Sequence, residues 1–243
     1  MNKKTVLILG ATCEVGKELC KIYADNNYNL ILISRNVKKN IDLKEMLLFK
    51  FPEIEIDTYE LDILNLEDQT KIYENLKATP DGIISLIGET HFFETIKEKK
   101  FIQIINTNFT YLVNFLSLFL NDFEKRNKGF LICISSVAGI RGRAKNFIYG
   151  SSKAALTTYL SGCRNYYNKS NLFIMTVLPG FIKNNGSNQK LNNFLAITPL
   201  KLANKIYFAH KKRKQVIYSS FLWKIIMFFI SILPNKIFNK MFF

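Results

Sequence analysis

Short apolar runs alternate with amphipathic stretches along the whole chain. Seven of these runs are several residues long and continuously apolar, which is typical of strands covered on both faces. Most are followed by about 10 to 20 residues with the helical period. The predicted strands are residues 5–9, 30–34, 54–61, 82–88, 129–135, 171–178 and 215–219.

This alternation predicts an α/β fold. We expect a doubly wound, Rossmann-like parallel sheet of seven strands between two helical layers, with a nucleotide crevice where the strand order reverses. With 243 residues, 48% of them hydrophobic, the chain can build one sizeable core. The predicted organisation is a single catalytic domain over 1–219, followed by a hydrophobic, basic tail over 220–243.

The first predicted strand runs into the segment LILGATCEVGKEL, with Gly10 and Gly16 six positions apart. A strand, a tight loop and a helix start in this order can cradle a dinucleotide pyrophosphate on backbone N–H groups. Glu14 places an anion in the middle of that loop. Two interpretations stay open: the backbone still binds while the carboxylate points away, or the loop has lost its ligand.

Charge is distributed very unevenly. Residues 1–124 carry 14 basic and all 19 acidic residues, whereas residues 125–243 carry 20 basic and no acidic ones, so net charges of −5 and +20 sum to +15. This asymmetry favours an anionic partner, such as membrane headgroups, a phosphorylated substrate or nucleic acid. The alternative explanation for the excess of lysine is the amino-acid usage of an A/T-rich genome. The four cysteines lack metal-site spacing, and their scatter fits a reducing cytoplasm.

Candidate chemistry follows the fifth predicted strand. Tyr149 and Lys153 are four residues apart, so a helix beginning near residue 148 carries both side chains on one face. Ser136 lies at the end of the preceding strand. A Tyr–Lys pair alone is weak, because exposed helical pairs of this kind are common. The pair becomes informative about catalysis because the chain also has a Gly-rich first loop and a serine at the tip of the preceding strand.

Taken together, the chain resembles the short-chain dehydrogenase/reductase family over nearly its full length. The matching segments are LGATCEVG (9–16), SLIG (85–88), Asn108, the Ser136–Tyr149–Lys153 set and LPG (178–180). The first loop and the tail resemble a subgroup that reads GATSDIG and ends in a hydrophobic segment, which favours a loop that still binds. The chain departs from the family's pattern at four points. Leu9 replaces the threonine before the first glycine, Glu14 replaces the middle glycine, SLIG lacks the two asparagines, and Asn184 replaces the threonine after the P-G turn.

Ketone reduction needs a hydride and a proton donor within reach of the carbonyl oxygen. We predict that Tyr149 is this acid/base and that the Lys153 ammonium, together with the positive nicotinamide, lowers its pKa. The resemblance implies that Ser136 polarises the carbonyl, Lys153 holds the nicotinamide ribose and Asn108 orders a water. The cofactor-binding residues are predicted to be Gly10, Thr12, Cys13, Glu14, Val15, Gly16, Ser34, Arg35, Asp62, Ile63, Ile87, Gly88, Tyr149, Lys153, Pro179, Gly180 and Ile182.

The cofactor is predicted to be NADP(H). At the end of the second strand, Ser34 stands where NAD-preferring members place an acid, and Arg35 follows it, where a basic residue accommodates the 2′-phosphate. A solvated arginine at a strand end is the alternative. Asp62, after the third strand, is expected to receive the adenine amino group.

The tail has no expected catalytic role. Residues 221–233 are too few for a bilayer span, which needs about 20 residues. We predict a helix on the membrane surface, with an interface to a partner subunit or a flap over the substrate cleft as alternatives. Its acyl-facing residues would be Trp223, Phe228 and Phe229, and its headgroup contacts HKKRK (210–214), Lys236 and Lys240.

The resemblance to that subgroup implies a lipid-linked or surface-polysaccharide keto-sugar as substrate, with the basic loop Arg141, Arg143 and Lys145 beside the site. The resemblance to the family as a whole implies a homodimer or homotetramer, and the predicted location is the cytoplasm, on the inner face of the membrane. A catalytically silent, membrane-associated NADP-binding regulator is the alternative function. Nucleic-acid binding is disfavoured because no recognised module is visible. His91 and His210 are too isolated for a metal site.

Overall fold

The computed structural model of the protein describes residues 3–90, 98–183 and 195–241. Asn184 and His91 lie outside the described residues. The strands are β1 (Thr5–Leu9), β2 (Asn29–Ser34), β3 (Ile56–Glu60), β4 (Gly82–Ser85), β5 (Gly129–Ile134), β6 (Leu172–Leu178), β7 (Phe181–Ile182), β8 (Ala196–Ile197) and β9 (Val216–Tyr218). The helices are α1 (Glu14–Asp25), α2 (Val37–Lys50), α3 (Leu66–Asn75), α4 (Glu98–Ile105), α5 (Tyr111–Lys125), α6 (Phe147–Tyr166), α7 (Pro199–Lys211), α8 (Phe221–Ile232) and α9 (Asn235–Phe238).

Seven strands form one parallel sheet in the order β3-β2-β1-β4-β5-β6-β9. Every predicted strand overlaps one of them, so the predicted fold class is confirmed. The order reverses between β1 and β4, which is where open α/β sheets bind ligands. The fourth predicted strand is too long: β4 ends at Ser85, and residues 86–88 leave the sheet to form part of a groove.

Helices cover both faces of the sheet, as the continuous apolar runs require. Helices α1, α2 and α7 share one core with the strands, and α3, α5 and α6 share the other. A third, smaller cluster lies at the carboxyl end of the sheet, where Trp223 and Met227 of α8 pack on Val137 and Leu178. Among the described residues, no helix has both the length and the apolar character needed to cross a bilayer.

Candidate active site

The loop after β1 is built for close backbone approach. Gly10 has a φ of +89°, a left-handed conformation that favours glycine. A Cβ atom on Gly16 would lie 2.6 Å from the Gly10 carbonyl oxygen, so only glycine fits at the start of α1. Cys13 caps that helix by accepting the Gly16 N–H at 3.3 Å. The loop and helix start therefore form the cradle that the sequence predicts for a pyrophosphate.

Glu14 is the first residue of α1, and its carboxylate pairs with Lys17 at 3.3 Å. Its side chain is not among those that line the groove beside the loop. A carboxylate in the first helical turn is favourable because it meets the positive end of the helix dipole. The interpretation in which the backbone cradle remains and the carboxylate points away thus describes this geometry.

A groove of about 670 Å³ runs along the carboxyl ends of β1, β2, β3 and β4. Nine of the predicted cofactor residues line it: Gly10, Thr12, Cys13, Ser34, Arg35, Asp62, Ile63, Ile87 and Gly88. Glu14, Val15, Gly16, Tyr149, Lys153, Pro179, Gly180 and Ile182 do not. Sequence reasoning missed further lining residues, among them Asn36, Lys39, Gln103 and Thr107. Asn36 caps the start of α2 and Lys39 lies in its first turn, while Gln103 and Thr107 lie on and just after α4; their local sequence gives no sign that these elements reach the groove.

At the β2 end of the groove, Ser34 stands where NAD-preferring members of the family have an acidic residue, and its hydroxyl already makes a hydrogen bond within the protein. Ser34 is buried and donates a 2.9 Å hydrogen bond to Asn40. Arg35 and Lys39 both line the groove there and are solvent-exposed. This end therefore presents two cations and no carboxylate from β2, which suits a ligand phosphate.

Helix α6 brings the predicted acid/base and lysine together. The Lys153 ammonium lies 5.9 Å from the centre of the Tyr149 ring. Ser136 follows β5 and caps the short 3-10 turn Val137–Gly139. Its hydroxyl forms a side-chain hydrogen bond with Tyr149. Serine, tyrosine and lysine therefore meet at the carboxyl edge of the sheet.

Protein groups alone leave Tyr149 protonated at neutral pH. Burial raises the pKa of its phenol, and the Ser136 hydrogen bond and the charge of Arg143 only partly offset this. The prediction that Lys153 lowers this pKa is not met among the protein's own groups, because Arg143 supplies the nearby charge. The protonated phenol is the form that donates to a carbonyl oxygen.

Lys153 is 2% exposed and donates to the carbonyl oxygens of Ile87 at 3.1 Å and Ile134 at 3.0 Å. Burial lowers its pKa from 10.5 to about 8. Because Ile87 also lines the groove, these hydrogen bonds join the predicted catalytic residues to the candidate cofactor site.

Asn108 lies in the π-helical turn Asn106–Thr110, between α4 and α5, and is fully buried. Its side chain accepts from the Glu89 N–H at 2.7 Å and donates to the Glu89 carbonyl at 3.0 Å and to the Ser152 hydroxyl at 2.9 Å. Asn108 therefore ties the segment after β4 to α6, beside Lys153. π-Helical turns of this kind are often found at functional sites.

The C-terminal segment packs at the carboxyl ends of the strands, on the same side of the sheet as Ser136 and Tyr149. Trp223 is 5% exposed, and a Cβ on Gly180 would lie 2.1 Å from its indole ring. Its indole N–H donates to the Leu195 carbonyl at 2.8 Å. The prediction that Trp223 faces the acyl region of a membrane is therefore wrong: the ring is part of the third core cluster.

Arg141 also differs from its predicted role. Its guanidinium donates to the carbonyls of Ile230 and Leu233 and to the Asn235 side chain, and it lies 3.9 Å from the centre of the Phe238 ring. One of the three basic loop residues expected beside an anionic substrate is thus occupied in anchoring the end of α8.

Replacing Arg141 by glutamine should loosen this segment, because three carbonyl or amide acceptors lose a charged donor. We expect the free energy of unfolding to fall by about 2 kcal/mol, with faster proteolytic cleavage within residues 221–241. Thermal unfolding and limited proteolysis measure this. Lys236→Gln, an equal charge change at an exposed position of α9, is the control, and equal cleavage of the two variants would contradict the anchoring role.

Comparison with known proteins agrees with this geometry. The sequence model of the short chain dehydrogenase family matches residues 4–194. The chain belongs to that family. This short-chain dehydrogenase is therefore an NAD(P)-dependent oxidoreductase that acts on a CH–OH or C=O group.

Individual relatives are distant. A very-long-chain 3-oxoacyl-CoA reductase from Danio rerio is 29% identical over 186 residues, which are 74% of this chain and 58% of that protein. An NADP-dependent 3-hydroxy acid dehydrogenase from Schizosaccharomyces pombe is 26% identical over 238 residues, covering 89% and 90% of the two chains. The structure of a short-chain dehydrogenase from Sphingobium yanoikuyae in complex with NADPH has a TM-score of 0.82 at 18% identity, over 96% and 97% of the two chains. That structural similarity shows the fold.

Proposed function

We propose that this dehydrogenase interconverts a ketone and a secondary alcohol with NADP(H), and that Tyr149 is its acid/base. The observation that carries the proposal is the meeting of Ser136, Tyr149 and Lys153 beside a groove whose far end carries Arg35 and Lys39. The catalytically silent regulator is not favoured, because the chain keeps a coherent proton-transfer set and its characterised relatives are reductases and dehydrogenases.

The groove fits a dinucleotide. The Gly10–Gly16 cradle would hold the pyrophosphate, since a Cβ at either glycine would oppose the backbone geometry that exposes the N–H groups. Asp62 and Ile63 would border the adenine, and Ile87 and Gly88 would border the nicotinamide half. When bound, the cofactor supplies or accepts the hydride.

The chain's own residues then handle the proton and the oxygen. Tyr149 would donate its phenolic proton to the carbonyl oxygen, and Ser136 would hold that oxygen by a hydrogen bond. Lys153, whose pKa is lowered to about 8 by burial and whose amine lies 5.9 Å from the centre of the Tyr149 ring, would resupply the proton. Asn108 would act as a positioning residue, because it connects the segment after β4 to α6.

The function is tested by titrating the protein with NADPH and then following NADPH oxidation against a panel of ketones. We expect saturable binding and turnover of at least one carbonyl compound. Binding without turnover across chemically diverse ketones would favour the regulator. The keto-sugar substrate and the oligomeric state stay predictions.

We further propose that α8 attaches the protein to an anionic lipid surface. Phe221, Phe228, Phe229 and Ile232 are each at least 60% exposed, although most apolar side chains of this size are buried. Lys224, Lys236 and Lys240 lie on the same segment, and residues 125–243 contain no carboxylate side chain to repel anionic headgroups. This surface differs from the predicted one, because it includes neither Trp223 nor the HKKRK segment.

Vesicle flotation with phosphatidylserine-containing liposomes tests this attachment. We expect the native chain to float and the Phe228→Ser/Phe229→Ser variant to remain in the dense fraction, because about 25 cal/mol per Å² of apolar burial is lost. The matched control is Phe49→Ser/Phe208→Ser, which removes two exposed phenylalanines from α2 and α7. Equal flotation of both double variants would rule out α8 as the attachment surface.

A further inference from the structure

A second cavity, of about 420 Å³, lies on the side of the sheet where the parallel strands begin, called the amino edge below. Its walls come from the starts of β1, β4, β5 and β6 and from the end of α7. The candidate active site lies at the opposite, carboxyl ends of the same strands. The cavity is therefore separate from the groove, and its volume is in the range of small-molecule sites.

Positive charge surrounds this cavity. Lys4, Lys128, Lys211 and Arg213 line it, against one carboxylate, Asp81. Asp81 pairs with Lys128 at 3.4 Å. Within the part of the chain that the structure describes, Lys4, Lys211 and Arg213 have no carboxylate within ion-pairing distance. Three uncompensated cations thus remain.

His210 shows that these three charges converge. The centre of its ring lies 4.1 Å from that of Phe130 and 5.8 Å from that of Phe173, and its Nδ1 is 2.7 Å from the Tyr23 hydroxyl. Burial, together with the charges of Lys211, Lys4 and Arg213, lowers its pKa from 6.5 to about 4. The imidazole is consequently neutral at pH 7 and contributes an aromatic rather than a charged surface.

Arg213 occupies a backbone position that arginine rarely adopts. Its φ is +49°, just past the C-terminus of α7, where glycine is usual. The other non-glycine residues with positive φ in the described part of the chain are Asn27 and Asn127, a residue type that tolerates this conformation. The guanidinium of Arg213 lies 5.3 Å from the Phe173 ring centre and donates to the Asn171 carbonyl. An arginine held at a strained position beside an uncompensated positive cavity indicates a use for its charge.

We propose that this cavity binds a phosphorylated small molecule the size of a mononucleotide. Its phosphate would lie between Lys4, Lys211 and Arg213, and its planar body against the partly exposed ring of His210, which packs on the buried Phe130 and Phe173. Phosphate groups are favoured because they accept several charge-assisted hydrogen bonds at once. The site also gives a role to Lys211 and Arg213, which line this cavity. The strand β9, which pairs with the last three residues of β6, lies between them and α8 in the sequence.

Isothermal titration of ADP, with the groove filled by saturating NADPH, tests the site. We expect one ADP per chain, weakened by added salt, and at least about tenfold weaker in Arg213→Asn because a charge-assisted contact is lost. Asparagine tolerates the left-handed conformation, so the melting temperature of this variant should stay unchanged or rise. Weaker binding without loss of stability separates a ligand role from a structural one.

Lys212→Asn is the matched control, since it removes one charge at a neighbouring exposed position outside the cavity wall. It should leave the ADP affinity nearly unchanged. The absence of ADP binding to the native chain, or equal affinity in the Arg213→Asn variant, would overturn the proposal. So would pyrophosphate binding as tightly as ADP, because the aromatic wall would then contribute nothing. If ADP binds only when NADPH is omitted, it binds in the groove and not in this cavity, which would also overturn the proposal.

Discussion

Replacing Tyr149 by phenylalanine should lower the rate of carbonyl reduction by about 10²- to 10⁴-fold, the range that a positioned general acid contributes. The phenyl ring preserves the packing of α6 but cannot donate a proton. Affinity for NADPH should change little, because Tyr149 does not line the groove. Stopped-flow oxidation of NADPH against a ketone turned over by the native chain, with a parallel fluorescence titration, measures both quantities.

The control is Tyr166→Phe, which removes the same hydroxyl from a 73% exposed position at the end of the same helix. It should leave the rate unaltered. If Tyr149→Phe retains more than a tenth of the native rate, Tyr149 is not the proton donor, and the Ser136–Tyr149–Lys153 geometry would need another explanation.

Replacing Arg35 by aspartate should weaken NADPH binding by about 100-fold and favour NADH. The arginine faces the end of the groove where a 2′-phosphate would lie, and one charge-assisted bond to a charged group contributes about 1.5 to 3 kcal/mol. The new carboxylate would also repel a phosphate and accept a hydrogen bond from a ribose hydroxyl. Lys39 remains at this end, so some affinity for NADPH should persist.

Lys38→Asp makes the same charge reversal at an exposed position that does not line the groove. Its affinities for NADPH and NADH should match those of the native chain. Should Arg35→Asp weaken NADH and NADPH equally, Arg35 would contribute general attraction rather than recognition of the 2′-phosphate, and the cofactor assignment would have to change.

The apolar pattern predicted every strand of the main sheet, because a strand buried on both faces requires a continuous apolar run whatever its neighbours are. It also predicted that Tyr149 and Lys153 share a helix face, since the helical period is local. The end of the fourth strand was predicted three residues too far along. Leu86 and Ile87 are as apolar as a strand residue, yet they leave the sheet to line the groove.

Longer-range partners could not be predicted in this way. The amine of Lys153 donates to carbonyls 66 and 19 residues away, and Arg141 donates to a carbonyl 89 residues away. Arg143, rather than Lys153, supplies the charge that acts on Tyr149. A basic residue looks the same in the sequence whether it binds a substrate, anchors a helix or tunes a neighbour.

The sequence by itself determined the layer architecture, the glycine loop after the first strand and the shared helix face of Tyr149 and Lys153, because each depends on periodicity or on short fixed spacings. Only the tertiary structure decided where the positive charge of the second half lies. The strand β9 leads from Lys211 and Arg213, which line the cavity at the amino ends of the strands, to α8, which packs at their carboxyl ends. Segments adjacent in sequence are thereby separated by the length of a strand, so charges read as one surface along the chain belong to two.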